Sequence, residues 1–156
     1  MLKIGDQAPA FTILNQNNEK ISLTNFLGQW VVLYFYPKDN TPGCTVEACT
    51  FSDNLNEFKK LKAVILGVSA DSTQSHRKFI EKKNLKIMLL SDEDHKVLKN
   101  YEAWGEKSLY GKIFFGIIRS TFLIDPQGKI AHIWRKVKPS GHTQEIQKIL
   151  KNLTKE

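Results

Sequence analysis

Cysteine is scarce in this chain, with two in 156 residues, too few for the disulfide framework of a small secreted protein. No secretory leader is expected either, because Met1 to Phe11 shows neither a basic stretch followed by an apolar one nor a small-residue cleavage site. The expected location is the cytoplasm, where thiols are kept reduced. The longest apolar run, Trp30 to Tyr36, is seven residues, against the roughly 20 that a membrane-spanning helix needs, so no membrane partner is expected. Arginine is rare: all but three of the 23 basic residues are lysine, and Arg77, Arg119 and Arg135 form no cluster suited to bidentate phosphate contacts. The net charge of +7 is therefore expected to be a solvated lysine surface and not a nucleic-acid footprint. Repeats, low-complexity tracts and a Gly-rich phosphate loop are absent too, and a single domain over residues 1–156 is expected.

What is present is the composition of a packed globular chain, 41% hydrophobic and 25% charged. Phe11 to Leu14 and Lys20 to Leu23 flank a polar stretch and predict an N-terminal β-hairpin. Trp30 to Tyr36 is continuous, aromatic and β-branched, as suits a central strand covered on both faces, and it stops at Pro37. From Thr41 the period changes: Ala48, Phe51, Leu55 and Phe58 make one helical stripe, with Thr41 as N-cap and Pro42 at the first helical position. Further predicted elements are a strand at Ala63 to Ala70, a helix at Thr73 to Lys83, a strand at Ile87 to Leu90 and a short helix near His95 to Tyr101. Asp125-Pro126-Gln127-Gly128 predicts a turn joining strands Thr121 to Ile124 and Lys129 to Arg135. A closing helix from Thr143 to about Asn152 would turn Ile146, Ile149, Leu150 and Leu153 to one side. The order predicts an α/β fold with a central mixed sheet and helices on both faces. Ala103 to Arg119 has no clear pattern.

Cys44 follows a buried strand and a proline loop and falls in the first turn of the next helix. A thiol there faces unpaired backbone N–H groups and the positive end of the helix dipole, which favour thiolate over thiol. A lone cysteine would by default be an inert core residue; Cys49, close by in the same helix, reverses that expectation. The spacing is not Cys-x-x-Cys, and no further Cys or paired His completes a zinc site, so no metal or other cofactor is expected. Two nearby thiols can instead form a disulfide once one is oxidised to a sulfenic acid.

The stretch Phe35-Tyr36-Pro37-Lys38-Asp39-Asn40-Thr41-Pro42-Gly43-Cys44-Thr45-Val46-Glu47-Ala48-Cys49 resembles the peroxiredoxin signature Pro-x-x-x-Thr-x-x-Cys, in the form typical of the bacterioferritin comigratory protein, or PrxQ, subfamily. The likeness extends to Gly5 to Phe11, to Gly111-Lys112 and to Arg119 to Asp125. It implies a thioredoxin-like fold and a thiol peroxidase acting on hydrogen peroxide and organic hydroperoxides. By this resemblance Cys44 is the peroxidatic cysteine and Cys49 the resolving one, joined in an intramolecular disulfide that thioredoxin or a similar dithiol protein reduces. Thr41 holds the peroxide oxygen, Pro37 shields the sulfur, Arg119 stabilises the thiolate and Glu47 orients that arginine. Each has a plainer reading: N-cap, strand terminator, surface ion pair and helix-surface acid. The four histidines and three tryptophans are expected to be surface or packing residues. A monomer or weak homodimer is expected.

Two competing functions are a protein thiol oxidoreductase or redox sensor, and a basic nucleic-acid module; Thr41 and Arg119 favour the peroxidase over the first, and the lack of an arginine cluster speaks against the second. Helix geometry adds a constraint. Five residues along an α-helix separate the two Cα atoms by about 8.6 Å, whereas a disulfide needs about 7 Å or less. Bridging Cys44 to Cys49 therefore predicts that the turns from about Pro42 to Phe51 unwind.

Overall fold

The computed structural model describes residues 1–155; the expected unit 1–156 includes Glu156, which lies outside them. Nine strands and five α-helices are present among the described residues: β1 Thr12–Asn15, β2 Lys20–Ser22, β3 Trp30–Phe35, α1 Pro42–Asp53, α2 Leu55–Lys60, β4 Ala63–Ser69, α3 Thr73–Lys83, β5 Met88–Ser91, α4 Lys96–Asn100, β6 Trp104–Leu109, β7 Lys112–Ile117, β8 Ser120–Ile124, β9 Ile130–Arg135 and α5 His142–Thr154. Seven strands form one mixed sheet in the order β2-β1-β5-β4-β3-β8-β9. The central strands β3, β4 and β5 run parallel, and β8 lies antiparallel to β3. No helix among the described residues is long and apolar enough to cross a membrane.

The alternation of β3 divides the core into two layers, since successive side chains on a strand point to opposite faces. Val31, Leu33 and Phe35 join one layer with Phe11, Leu98 of α4, Tyr101 and Phe122. Val32, Tyr34 and Tyr36 join the other with Ala48 and Phe51 of α1, Phe58 of α2, Phe79 of α3, and Ile146 and Leu150 of α5. Burying a side chain such as Phe51 fully contributes about 1.5–3 kcal/mol, which fixes α1 against the sheet. The β1–β2 and β8–β9 hairpins form as predicted. In the second, Asp125 Oδ1 accepts from the Gln127 and Lys129 amides at 2.9 Å, an Asx-type turn.

Two local expectations need correction, and the stretch without a clear pattern gains an assignment. The single stripe from Ala48 to Phe58 belongs to two helices, because the chain bends at Asn54, whose ψ of 10° leaves the helical region. Leu153 is exposed, whereas Ile146 and Leu150 are buried under α5 and Ile149 packs partly against the same layer. Ala103 to Arg119 contains a separate hairpin, β6–β7, turned at Tyr110-Gly111, where both residues have positive φ (52° and 78°), a turn that glycine accommodates without strain.

Candidate active site

The helical period that buries Ala48 and Phe51 also turns Cys44 and Glu47 inward, because positions 44, 47, 48 and 51 share one face. Cys44 and Glu47 are each 1% exposed. Thr41 is the N-cap, in extended conformation, with Pro42 at the first helical position, so Cys44 lies in the first turn. The Thr41 hydroxyl does not cap the helix. It donates to the Lys38 carbonyl at 2.9 Å, which holds the loop but leaves the first-turn amides without that side-chain acceptor.

Arg119 reaches this turn from across the sheet. The β3–β8 register pairs Phe35 with Ser120, so the residue before Ser120 stands at the end of β3 where the chain turns toward α1. One guanidinium nitrogen, Nη2, donates to Cys44 Sγ at 3.1 Å, and Nη1 donates to Glu47 Oε1 at 2.6 Å. A Cβ on Gly43 would meet Pro139 Cγ at a tight 3.3 Å and Arg119 Nη2 at an ordinary contact distance of 3.5 Å, so a larger residue here would press on Pro139. Pro37, Arg119, Ile118, Lys136 and Val137 line a cavity of about 460 Å³ with Glu106, Lys107 and Ser108 of β6. Cys49, half-buried, is on the same helix, and both thiols are free. The structure thus brings Cys44, Arg119 and Glu47 into contact and puts Pro37 on the cavity wall beside Arg119.

Burial pushes the Glu47 carboxyl up to about 7, against the pull of Arg119. Burial also works against the charge on Arg119, but Glu47 and Cys44 outweigh it and hold the guanidinium above its ordinary value. Among the described residues Glu47 Oε2 and the Tyr34 hydroxyl are buried without hydrogen-bond partners, and burial, then Glu47 and Cys44, raise the Tyr34 phenol well above its usual range. A consequence for stability follows. Glu47 ionises near 4.5 when unfolded and near 7 when folded, so its contribution is fully present below pH about 4.5 and is lost as pH rises through about 7. We expect stability to fall over that window by up to about 3 kcal/mol relative to Glu47→Gln. Denaturant unfolding of both proteins across pH measures the difference.

Residues 4–133 match the AhpC/TSA family. The chain belongs to that family. It is 46% identical over 153 residues to Peroxiredoxin Bcp of Bacillus subtilis, covering 98% of both chains. To Peroxiredoxin Bcp of Escherichia coli it is 48% identical over 150 residues, covering 96% of both. A solved Cys-to-Ser variant of Xylella fastidiosa PrxQ superimposes with a TM-score of 0.93 at 38% identity over 99% of both chains. The Xanthomonas campestris bacterioferritin comigratory protein gives 0.89 at 41% identity, covering 93% of this chain and 92% of that one. The fold is therefore the thioredoxin-like fold of peroxiredoxins, and the protein is a peroxiredoxin, a peroxidase that works through a cysteine thiol.

In this peroxiredoxin two of the histidines expected to be surface or packing residues are buried in the interior. His142 is buried with Nε2 2.8 Å from the Thr121 hydroxyl, and burial lowers its basicity. His76 is fully buried against Asp39. A sequence signal for it existed: His76 sits three residues before Phe79 on the inward stripe of α3, and a buried imidazole requires hydrogen-bond partners.

Proposed function

We propose that the Cys44 thiolate attacks the terminal oxygen of hydrogen peroxide or an organic hydroperoxide. The oxygen–oxygen bond breaks, Cys44 becomes a sulfenic acid, and the leaving alkoxide or hydroxide takes a proton to give alcohol or water. The carrying observation is the 3.1 Å contact between Arg119 Nη2 and Cys44 Sγ, with the guanidinium held from behind by Glu47. A fixed cation at that distance stabilises both the thiolate and the charge developing on the leaving oxygen. Pro37 shields the sulfur on the cavity side, and Thr41 positions the peroxide. The cavity beside Arg119 has room for the organic part of a hydroperoxide; the related Xanthomonas protein has been studied for alkyl peroxide reduction.

Cys49 then attacks the Cys44 sulfenic acid, forming the disulfide and releasing water. Both residues lie in α1, and an intact helix keeps them about 8.6 Å apart at Cα. The first turns of α1 therefore unwind before the bond can close. A dithiol protein such as thioredoxin returns both thiols, and the reaction runs in the cytoplasm on a single-domain monomer or weak homodimer. No bound metal or organic cofactor takes part in this scheme.

Peroxide consumption by the purified protein tests the scheme. With thioredoxin, its reductase and NADPH, we expect continuous turnover; without them, about one peroxide per chain. Disulfide exchange with proteins but no peroxide consumption would instead make the chain a thiol oxidoreductase.

A further inference from the structure

The loop between β3 and α1 is fastened at Asp39 by a buried polar cluster. Asp39 Oδ1 accepts from the Tyr36 hydroxyl at 2.5 Å, and Oδ2 accepts from the Ser75 hydroxyl at 2.8 Å. His76 Nδ1 lies 2.7 Å from the same Oδ2. The Asp39 amide donates to Asp71 Oδ2 at 2.8 Å, which also accepts from the Ser69 hydroxyl at 2.7 Å. His76 Nε2 is 2.9 Å from the Leu90 carbonyl; a carbonyl only accepts, so Nε2 carries a hydrogen. A proton also occupies the Nδ1–Oδ2 contact, since two bare lone pairs at that distance would repel. The histidine is 0% exposed and Asp39 8%, and removing one partner would leave the other's polar group buried and unpaired.

We infer that His76 is a positioning residue for the reactive thiol: with Asp39 it clamps the chain before α1 and thereby limits how far the peroxidatic helix can unwind. The inference rests on the proposed Cys44–Cys49 disulfide. Asp39 is followed by Asn40 at a φ of 62° and then by the Thr41 N-cap, so the clamp is the fixed point from which α1 starts. None of its members lies between Thr41 and Phe51. The clamp can therefore persist when the helix opens, whereas the Cys44–Arg119 contact must break as Sγ moves to Cys49.

The two devices consequently favour the wound helix in different ways. Arg119 attracts the sulfur directly. The clamp keeps the unwound segment short and tethered at both ends, which restricts its conformational freedom. Releasing Asp39 frees additional residues in the unwound state only. The wound form then becomes less populated, so peroxide attack slows while disulfide closure, which starts from the unwound form, accelerates. A general loss of stability would not accelerate either step.

Two substitutions separate the two bonds of the imidazole. The His76→Gln amide reaches the Nε2 position and can retain Leu90, whereas the His76→Asn amide reaches the Nδ1 position and can retain Asp39. Rapid-mixing measurements would follow Cys44 oxidation by hydrogen peroxide and the later disulfide closure, with amide exchange recorded across residues 41–51 of the reduced proteins. For His76→Gln we expect closure about tenfold faster and faster exchange, from the freeing of one or two residues, with oxidation slowed by a smaller factor because the reduced chain is mostly wound. His76→Asn should stay near wild type in both steps. Tyr36→Phe, which removes one donor and keeps the ring, carries the Gln expectation at smaller size and decides the matter should the histidine variants not fold. Both steps slowed alike, both unchanged, or Gln and Asn behaving identically would overturn the clamp. A wild type that forms no Cys44–Cys49 disulfide would overturn the reading beneath it as well.

Discussion

Replacing Cys44 with serine is expected to abolish peroxide consumption, while replacing Cys49 should leave the first oxidation of Cys44 intact. A serine hydroxyl is not ionised at neutral pH and offers no sulfur to oxidise, so nothing remains at position 44 to attack the peroxide. With Cys49→Ser, the sulfenic acid forms but finds no partner in its own chain. Turnover with thioredoxin should then fall sharply, and excess peroxide should carry the sulfur on to the sulfinic acid. Intact-mass spectrometry after one equivalent and after excess peroxide distinguishes the states. If both variants lose the initial oxidation equally, the division of roles between Cys44 and Cys49 is wrong.

The second large effect is expected at Arg119. Its guanidinium is the cation in contact with Cys44 Sγ and is 14% exposed, so water only partly screens it. Arg119→Ala should reduce kcat/KM for hydrogen peroxide by about 10²–10³-fold, as for loss of one preorganised donor at a developing charge. The same change should lower the thiolate fraction at neutral pH, read from thiolate absorbance in a Cys49→Ser background. Arg119→Lys should recover little, because an ammonium cannot contact Glu47 and Cys44 through two separate fixed donors. An unchanged rate and an unchanged thiolate titration would remove Arg119 from the reaction. Glu47 makes this pH-sensitive: it ionises near 7, so its negative charge faces the guanidinium fully only above neutrality.

The sequence by itself determined the elements whose causes are local. Trp30 to Tyr36 had to be a buried strand because it carries no polar face, Pro37 had to end it, and Pro42 with the stripe from Ala48 to Phe58 had to begin a helix. Cys44 in a first helical turn, with Cys49 one and a half turns on, was therefore visible without coordinates. So was the Asp125 to Gly128 turn, whose carboxylate accepts from the amides that follow it and whose glycine takes a positive φ. The hairpin β6–β7 was not visible, because Leu109, Tyr110, Ile113, Phe114 and Phe115 are all exposed, and apolar residues on an outward hairpin obscure the alternation that marks a half-buried strand.

Contacts between distant segments were decided by the sheet alone. Cys44 and Arg119 are 75 positions apart, and only the antiparallel register of β3 and β8 brings them together; the family signature could name the arginine, but no spacing rule places it. Asp39 and His76, 37 positions apart, meet because parallel β3 and β4 set the loop after one beside the helix after the other. The Thr41 hydroxyl shows the same limit at short range. Residue type and position made it an N-cap, yet a side-chain rotation toward the Lys38 carbonyl decided which bond it makes. Backbone preference is a property of a few consecutive residues, whereas the partner of a polar side chain depends on whichever group the packed fold leaves within about 3 Å of it.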